Sequence, residues 1–285
     1  MLVSCYVNQT LSAEVYKYQN DQGKWVFTDK KPDETANFEK LNYKSNAAIK
    51  ISPKTFITTD NNIAIINPFY IPIEVKFRDS NEQLFHHSTV AANSTKIIFQ
   101  PDLDKSNYSY QWLRGDPNAS HINTYYQTPF TSSFERVITQ AFNGSFSHNS
   151  PGSQYAVDIA LPVGTPIVAA RAGVVIHVTD NYVLSGRSKY FLDKANRVEV
   201  LHDDGTYATY AHLSHSSVNV DIGDRVTIGT ELGKSGSSGF STGPHLHFVI
   251  RKNSAFNTIS VPFQFSDSNG NPYTPITGVS ILPNR

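Results

Sequence analysis

Cysteine is all but missing from this chain of 285 residues, with Cys5 its single example. No internal disulfide can form. A zinc site built on several thiolates is excluded as well, so any metal must be held by His, Asp or Glu. Charge is also scarce. Asp, Glu, Lys and Arg make up 17% of the residues, and 24 basic side chains balance 24 acidic ones. A neutral chain has no electrostatic pull towards nucleic acid or an anionic membrane. No apolar run reaches the length of a membrane span, and long amphipathic helical patterns are missing. Neither His-Glu-x-x-His nor His-x-x-Glu-His occurs, which removes the helical metal-site classes built on them.

Tyr and Phe are plentiful, alongside 16 Gly and 15 Pro. That mixture predicts an all-β chain rich in turns, and the length suits two modest domains. Residues 1–13 read as the remnant of an export signal, with Leu11-Ser12-Ala13 as a small-residue cleavage site. This predicts a periplasmic or secreted protein. Leu2-Val3-Ser4-Cys5 also fits a lipoprotein box, and an unstructured start is the plain alternative. Residues 14–46 read as a small β-hairpin module, because Tyr16 and Tyr18 on one side and Trp25-Val26-Phe27 on the other flank Asn20-Asp21-Gln22-Gly23. Residues 47–120 read as a β-sandwich-like domain, with strand-like runs at 48–51, 63–66, 73–77 and 96–99. His86 and His87, being adjacent, face opposite ways on a strand and read as solvated. Tyr108, Tyr110 and Trp112 read as core, with a glycan-stacking surface as the alternative. Asp116-Pro117-Asn118 and Pro129 mark the connection to a domain spanning 121–285.

That second domain centres on Gly243-Pro244-His245-Leu246-His247-Phe248-Val249-Ile250, which follows a run of Gly and Ser. The alternation is that of a strand, so His245 and His247 project from one face while Leu246 and Phe248 enter a core. Two imidazoles side by side make half a metal site, or a ligand beside a proton carrier. They are also what two surface histidines on a half-exposed strand look like. Upstream lie His148, then Tyr155-Ala156-Val157-Asp158, and then Tyr210-Ala211-His212-Leu213. Asp203-Asp204-Gly205 between two alternating runs is a hairpin signal, and Gly164-Thr165-Pro166-Ile167-Val168-Ala169-Ala170 and Gly173-Val174-Val175 complete an antiparallel pattern with almost no helix.

These motifs, in this order, resemble the LytM/lysostaphin-type zinc metallopeptidases that cut the peptide part of bacterial cell walls; the resemblance covers roughly residues 140–253. It implies a LytM-type antiparallel β-domain, and a Zn2+ ion held by His148, Asp158 and His247 with a fourth position open for water. It implies His212 and His245 as the catalytic pair, one taking a proton from water and the other stabilising the oxyanion or protonating the leaving amine. It implies peptidoglycan stem peptides or cross-links as the substrate. One departure concerns His148. The family places its first histidine and the aspartate close together, whereas here residues 149–157 intervene, with Pro151-Gly152-Ser153 suggesting a looped insertion. A catalytically silent LytM-like regulator or binder of cell wall or amidases is the competing reading, and a metal-dependent carbohydrate-binding protein using the aromatics of residues 108–126 is a third. All five polar positions are present, which favours the enzyme. His177, His202 and His215 read as structural or solvated. Tyr210, two residues before His212, is expected on the same strand face, either packing or orienting a reacting group.

Overall fold

The computed structural model describes residues 13–19, 25–28, 31–32, 37–43, 51–98, 107–122 and 124–283. Most of the export segment with Cys5, the turn at 20–23, residues 48–50 and residue 99 lie outside the described residues. Ala13–Gln19 pairs antiparallel with Trp25–Thr28, as the hairpin reading expects. It gains a further partner in Phe38–Tyr43 on its other edge. A two-stranded hairpin is marginal in water, and a third strand makes the sheet viable.

Two three-stranded sheets follow. Ile63–Asn67 lies between Lys54–Ile57 and Ser94–Ile98, and Ile73–Arg78 lies between Leu84–Val90 and Ser109–Arg114. Alternate residues of both sheets, Ile63, Ile65, Ile73, Val75, Phe77, Val90 and Ile98, form one buried cluster. Tyr108, Tyr110 and Trp112 pack against it, so these aromatics serve the core. His86 bonds Ser88 Oγ. His87 is exposed, as read, and its Nε2 also lies 2.6 Å from Oε1 of the fully buried Glu74.

Nine of the remaining strands build one sheet in which every pairing is antiparallel. From one edge its order is Arg225–Val226, Gly173–Thr179, Arg197–Leu201, Tyr207–Ala211, His245–Ser254, Val157–Ala160, Arg136–Gln140 and Ser280–Ile281, with Asn257–Ser260 paired to the far half of His245–Ser254. Leu246, Phe248 and Ile250 are fully buried, as are Val157, Ile159, Val198, Val200, Ala208 and Tyr210. They belong to one continuous core, and each large apolar side chain buried there contributes about 1.5–3 kcal/mol. The other face carries a row set by register: Gln140 opposite Asp158, Asp158 opposite His247, His247 opposite Ala211, and Ala211 opposite Arg197. Tight turns hold the strand order. The Asp203-Asp204-Gly205 turn closes the hairpin of Arg197–Leu201 with Tyr207–Ala211, and Gly205 takes a φ of 80°. The one helical element is a single 3-10 turn at Lys189–Phe191, so the described residues are all-β with short helical punctuation.

Candidate metal and catalytic site

Asp158 and His247 are cross-strand partners, so their side chains leave the sheet together. His247 Nδ1 lies 2.8 Å from Asp158 Oδ1. His148 comes from the loop that precedes the Val157–Ala160 strand. The turns of residues 150–156, tied by Gln154 N to Ser150 O and Ala156 N to Ser153 O, fold the intervening segment back on itself. His148 thereby reaches the same point, fully buried, with Nε2 3.2 Å from Asp158 Oδ1. The expected insertion is thus accommodated without displacing the histidine.

The ligand atoms of His148, Asp158 and His247 all lie within 4.8 Å of one another. His148 Nδ1 donates to Ala141 O at 2.9 Å, which leaves Nε2 as a bare lone pair. That atom is buried and takes part in no hydrogen bond, although a carboxylate oxygen stands close by. Two acceptors facing each other in a buried site call for a cation between them. Two imidazoles and one carboxylate are the donor set of an open zinc site, so these residues fit the ion. Asp158 Oδ2 accepts from Gln140 Nε2 at 3.0 Å, and that amide also donates to Ser147 Oγ at 2.7 Å. Such outer partners orient the carboxylate. Burial works to raise the Asp158 pKa, but the adjacent His148 and His247 rings outweigh it, and the group is held well below its ordinary value. It is a carboxylate at any working pH.

His212 and His245 stand beside this cluster. Their ring centroids are 4.5 Å apart, and His212 lies 5.9 Å from His247. His245 Nε2 is 3.8 Å from Asp158 Oδ1. Both rings are oriented by carbonyls of the Gly/Ser run. His212 Nδ1 donates to Ser238 O at 2.7 Å, and His245 Nδ1 donates to Gly243 O at 2.8 Å. These bonds place the proton on Nδ1 and leave each Nε2 free to accept one. Burial, then the neighbouring His245 and His247, push the His212 pKa down to about 3, so the ring is neutral and available as a base. The glycines explain how the run comes so near. A Cβ on Gly239, whose φ is 80°, would lie 2.7 Å from Ala195 N, and one on Gly236 would lie 2.7 Å from Ser214 N.

Tyr210 differs from its expected place. It is fully buried, stacked near Phe248, and its hydroxyl accepts from Ala170 N at 2.9 Å. The strand ends at Ala211, and His212 has a left-handed φ of 66°. That single dihedral turns His212 out to the opposite face, so Tyr210 packs and takes no part in the cluster. His202 donates through Nδ1 to Ala172 O, His177 bonds Thr179 Oγ1, and His215 is exposed, in line with their structural or solvated reading. A groove of about 740 Å³ runs over the cluster. Phe146 and Phe240 stack across its rim at 6.0 Å. Gln140, the carbonyls of Ser238 and Gly243, and Arg197 and Arg251 on the groove floor escaped the sequence reading. The partial signal for Gln140 was its place on a strand two pairings from His247.

Residues 152–258 match the model of peptidase family M23; His148 precedes the matched span, so its place in the cluster rests on geometry. Over 121 residues the chain is 38% identical to the glycyl-glycine endopeptidase ALE-1 of Staphylococcus capitis, covering 42% of this chain and 30% of that protein. Over 93 residues it is 36% identical to the peptidoglycan DD-endopeptidase ShyA of Vibrio cholerae, covering 33% of this chain and 19% of that one. A metalloprotease of Buchnera aphidicola is 33% identical over 109 residues, 38% of this chain and 25% of its own length. The chain thus spans less than a third of the length of these relatives. Among solved structures, the catalytic domain of the prophage-encoded M23 protein EnpA from Enterococcus faecalis is 29% identical with a TM-score of 0.35, covering 47% of this chain and 92% of that one.

Proposed function

From the match of residues 152–258 to peptidase family M23, we propose that this protein is a zinc metalloendopeptidase that hydrolyses peptide bonds in peptidoglycan stem peptides or cross-links. The observation that carries the proposal is the buried, partnerless Nε2 of His148 aimed at Asp158 beside His247, with two further imidazoles, His212 and His245, presenting free Nε2 atoms into the same open groove. His148, Asp158 and His247 would hold the ion. Zinc in such a site polarises a carbonyl and lowers the pKa of water to about 7. His212 Nε2 serves as the proton acceptor, because burial and its neighbours keep the ring neutral. His245, with its Nδ1–H committed to Gly243 O, hands a proton to the leaving amine after receiving one at Nε2. Gln140 holds the carboxylate of Asp158 in place, and the stacked Phe146 and Phe240 wall the groove against solvent.

The test sets metal content against turnover in four alanine variants. His247→Ala and Asp158→Ala lose zinc and activity together. His245→Ala and His212→Ala keep about one equivalent of zinc while hydrolysis of cross-linked muropeptides falls about a hundredfold. A His245→Ala protein without zinc, or an active His247→Ala protein, overturns the assigned roles. A wild-type protein that binds intact sacculi and releases no peptide product is instead the silent binder.

A further inference from the structure

The register row that joins Gln140, Asp158, His247 and Ala211 continues to Arg197. Neighbouring strands lie about 4.8 Å apart, so the Arg197 backbone stands about 10 Å from that of His247. Only the methyl of Ala211 separates them on this face. Arg197 and Arg251 both line the groove that crosses the histidine cluster. Beneath them lies Glu199, which is 3% exposed. Arg114 Nη1 is 2.9 Å from its Oε2 and Arg197 Nε is 3.4 Å from its Oε1. Arg251 adds a third positive charge near the same carboxylate. Apart from Asp158, which serves the metal cluster, Glu199 is the only carboxylate lining the groove. Three guanidiniums therefore share one anion.

Arg251 is anchored, with Nε donating to Gly152 O at 2.6 Å and Nη1 to Thr209 Oγ1 at 3.0 Å. Arg197 is not anchored in this way. It approaches Glu199 through Nε alone, its side chain is 29% exposed, and no other described residue takes its terminal nitrogens. A guanidinium that faces its buried carboxylate through Nε leaves its outer Nη edge as a two-pronged donor, the geometry that matches a carboxylate. The surplus charge in a concave, partly desolvated groove favours an anionic guest.

We propose that Arg197, supported by Arg251, is a specificity-determining subsite that binds a free carboxylate of the peptide substrate, about three extended residues from the scissile bond. This rests on the peptidase reading above, and it predicts selection for carboxylate-bearing stem peptides over amidated or oligoglycine ones.

The test uses the full chain and two synthetic cross-linked stem peptides that differ only in carrying free carboxylates or their carboxamides. The wild type is expected to show a kcat/KM about tenfold or more higher for the carboxylate peptide, with the preference shrinking as salt rises. Arg197→Gln should abolish the preference through KM, with kcat and the carboxamide peptide little changed. Arg197→Lys should restore part of it. Equal cleavage of both peptides by the wild type overturns the proposal, and so does an Arg197→Gln protein that loses both equally. Fluorescence anisotropy of the labelled peptides separates this from the peptidase reading. If neither peptide is cleaved but the carboxylate form binds tighter in an Arg197-dependent manner, the peptidase reading falls and the subsite stands. If neither is cleaved and binding shows no preference, both fall.

Discussion

Replacing Glu74 with Ala should cost the fold about 2–4 kcal/mol, although Glu74 touches none of the site residues. Its carboxylate is fully buried and accepts from His87 Nε2 at 2.6 Å, Asn253 Nδ2 at 2.8 Å and Phe256 N at 2.9 Å. Asn253 lies at the end of the strand His245–Ser254, and Phe256 belongs to the turn that follows it. There Ala255 and Phe256 both adopt left-handed backbone, with φ of 48° and 66°. A two-residue hairpin turn of this hand is normally built from Asn-Gly, and each side-chain-bearing residue in it costs about 1–2 kcal/mol. Glu74 offsets that strain by holding the Phe256 N–H. Without it, Asn253 Nδ2 retains only Gly115 O at 3.0 Å, and Phe256 N retains only Asn253 Oδ1 at 3.2 Å. A charge-assisted bond contributes about 1.5–3 kcal/mol, reduced here because weaker partners remain and the desolvation of a buried carboxylate is relieved. Thermal melts followed by circular dichroism should show a fall in Tm of roughly 5–15 °C. Ala255→Gly, at an exposed position with positive φ, should recover about 0.5–1 kcal/mol in either background. A loss below about 1 kcal/mol for Glu74→Ala, or a further loss on adding Ala255→Gly, refutes the account of a strained turn held from outside.

Burial pushes the His202 pKa down from 6.5 to about 4. Between those values the unfolded chain carries a proton that the folded chain lacks, so stability falls as pH drops through that window, by about 3 kcal/mol in all. His202→Asn keeps a donor for Ala172 O and should flatten the slope, read as urea midpoints at pH values near 7 and near 5. Gly239→Ala forces a Cβ against Ala195 at a φ of 80°. It should lower stability by about 1–3 kcal/mol and displace the Ser238 carbonyl that orients His212, so that turnover drops further than zinc content. Gln140→Ala removes the amide donor of Asp158 Oδ2 and should weaken zinc binding about 10–100-fold in a chelator competition; unchanged affinity would mean that the carboxylate is positioned without it.

The shared face of His245 and His247 was legible because strand periodicity assigns a face to every second residue, and the buried apolar partners Leu246 and Phe248 fix which face; Asp158 entered through the family resemblance. What stayed hidden depended on register or on backbone. The pairing of Arg197 with Ala211, and so its place in the row, exists only once the strands are aligned. The carbonyls of Ser238 and Gly243 act on the histidines without any side-chain signature. Tyr210 was misplaced because counting by two assumes an unbroken strand, and the left-handed φ of His212 breaks it. The bond of the exposed His87 to Glu74 went unseen because that partner sits on the neighbouring strand, 13 residues away. The strand Phe38–Tyr43 was overlooked since its six residues, Phe-Glu-Lys-Leu-Asn-Tyr, alternate poorly between apolar and polar.

The contact between Asp158 and His247 joins residues 89 apart in the chain. In a protein whose single cysteine forbids any internal disulfide, a metal ion held by this pair, as proposed above, would act as the cross-link. It ties two neighbouring strands of the central sheet across that loop, which in chain-entropy terms resembles a disulfide contributing about 4–5 kcal/mol. Because the two strands place His247 opposite Asp158 in only one register, a slip by one residue turns His247 to the other face and opens the bridge. The ion would then reward only the correctly aligned sheet, and on the proposed function zinc would favour the folded chain as well as supply the chemistry.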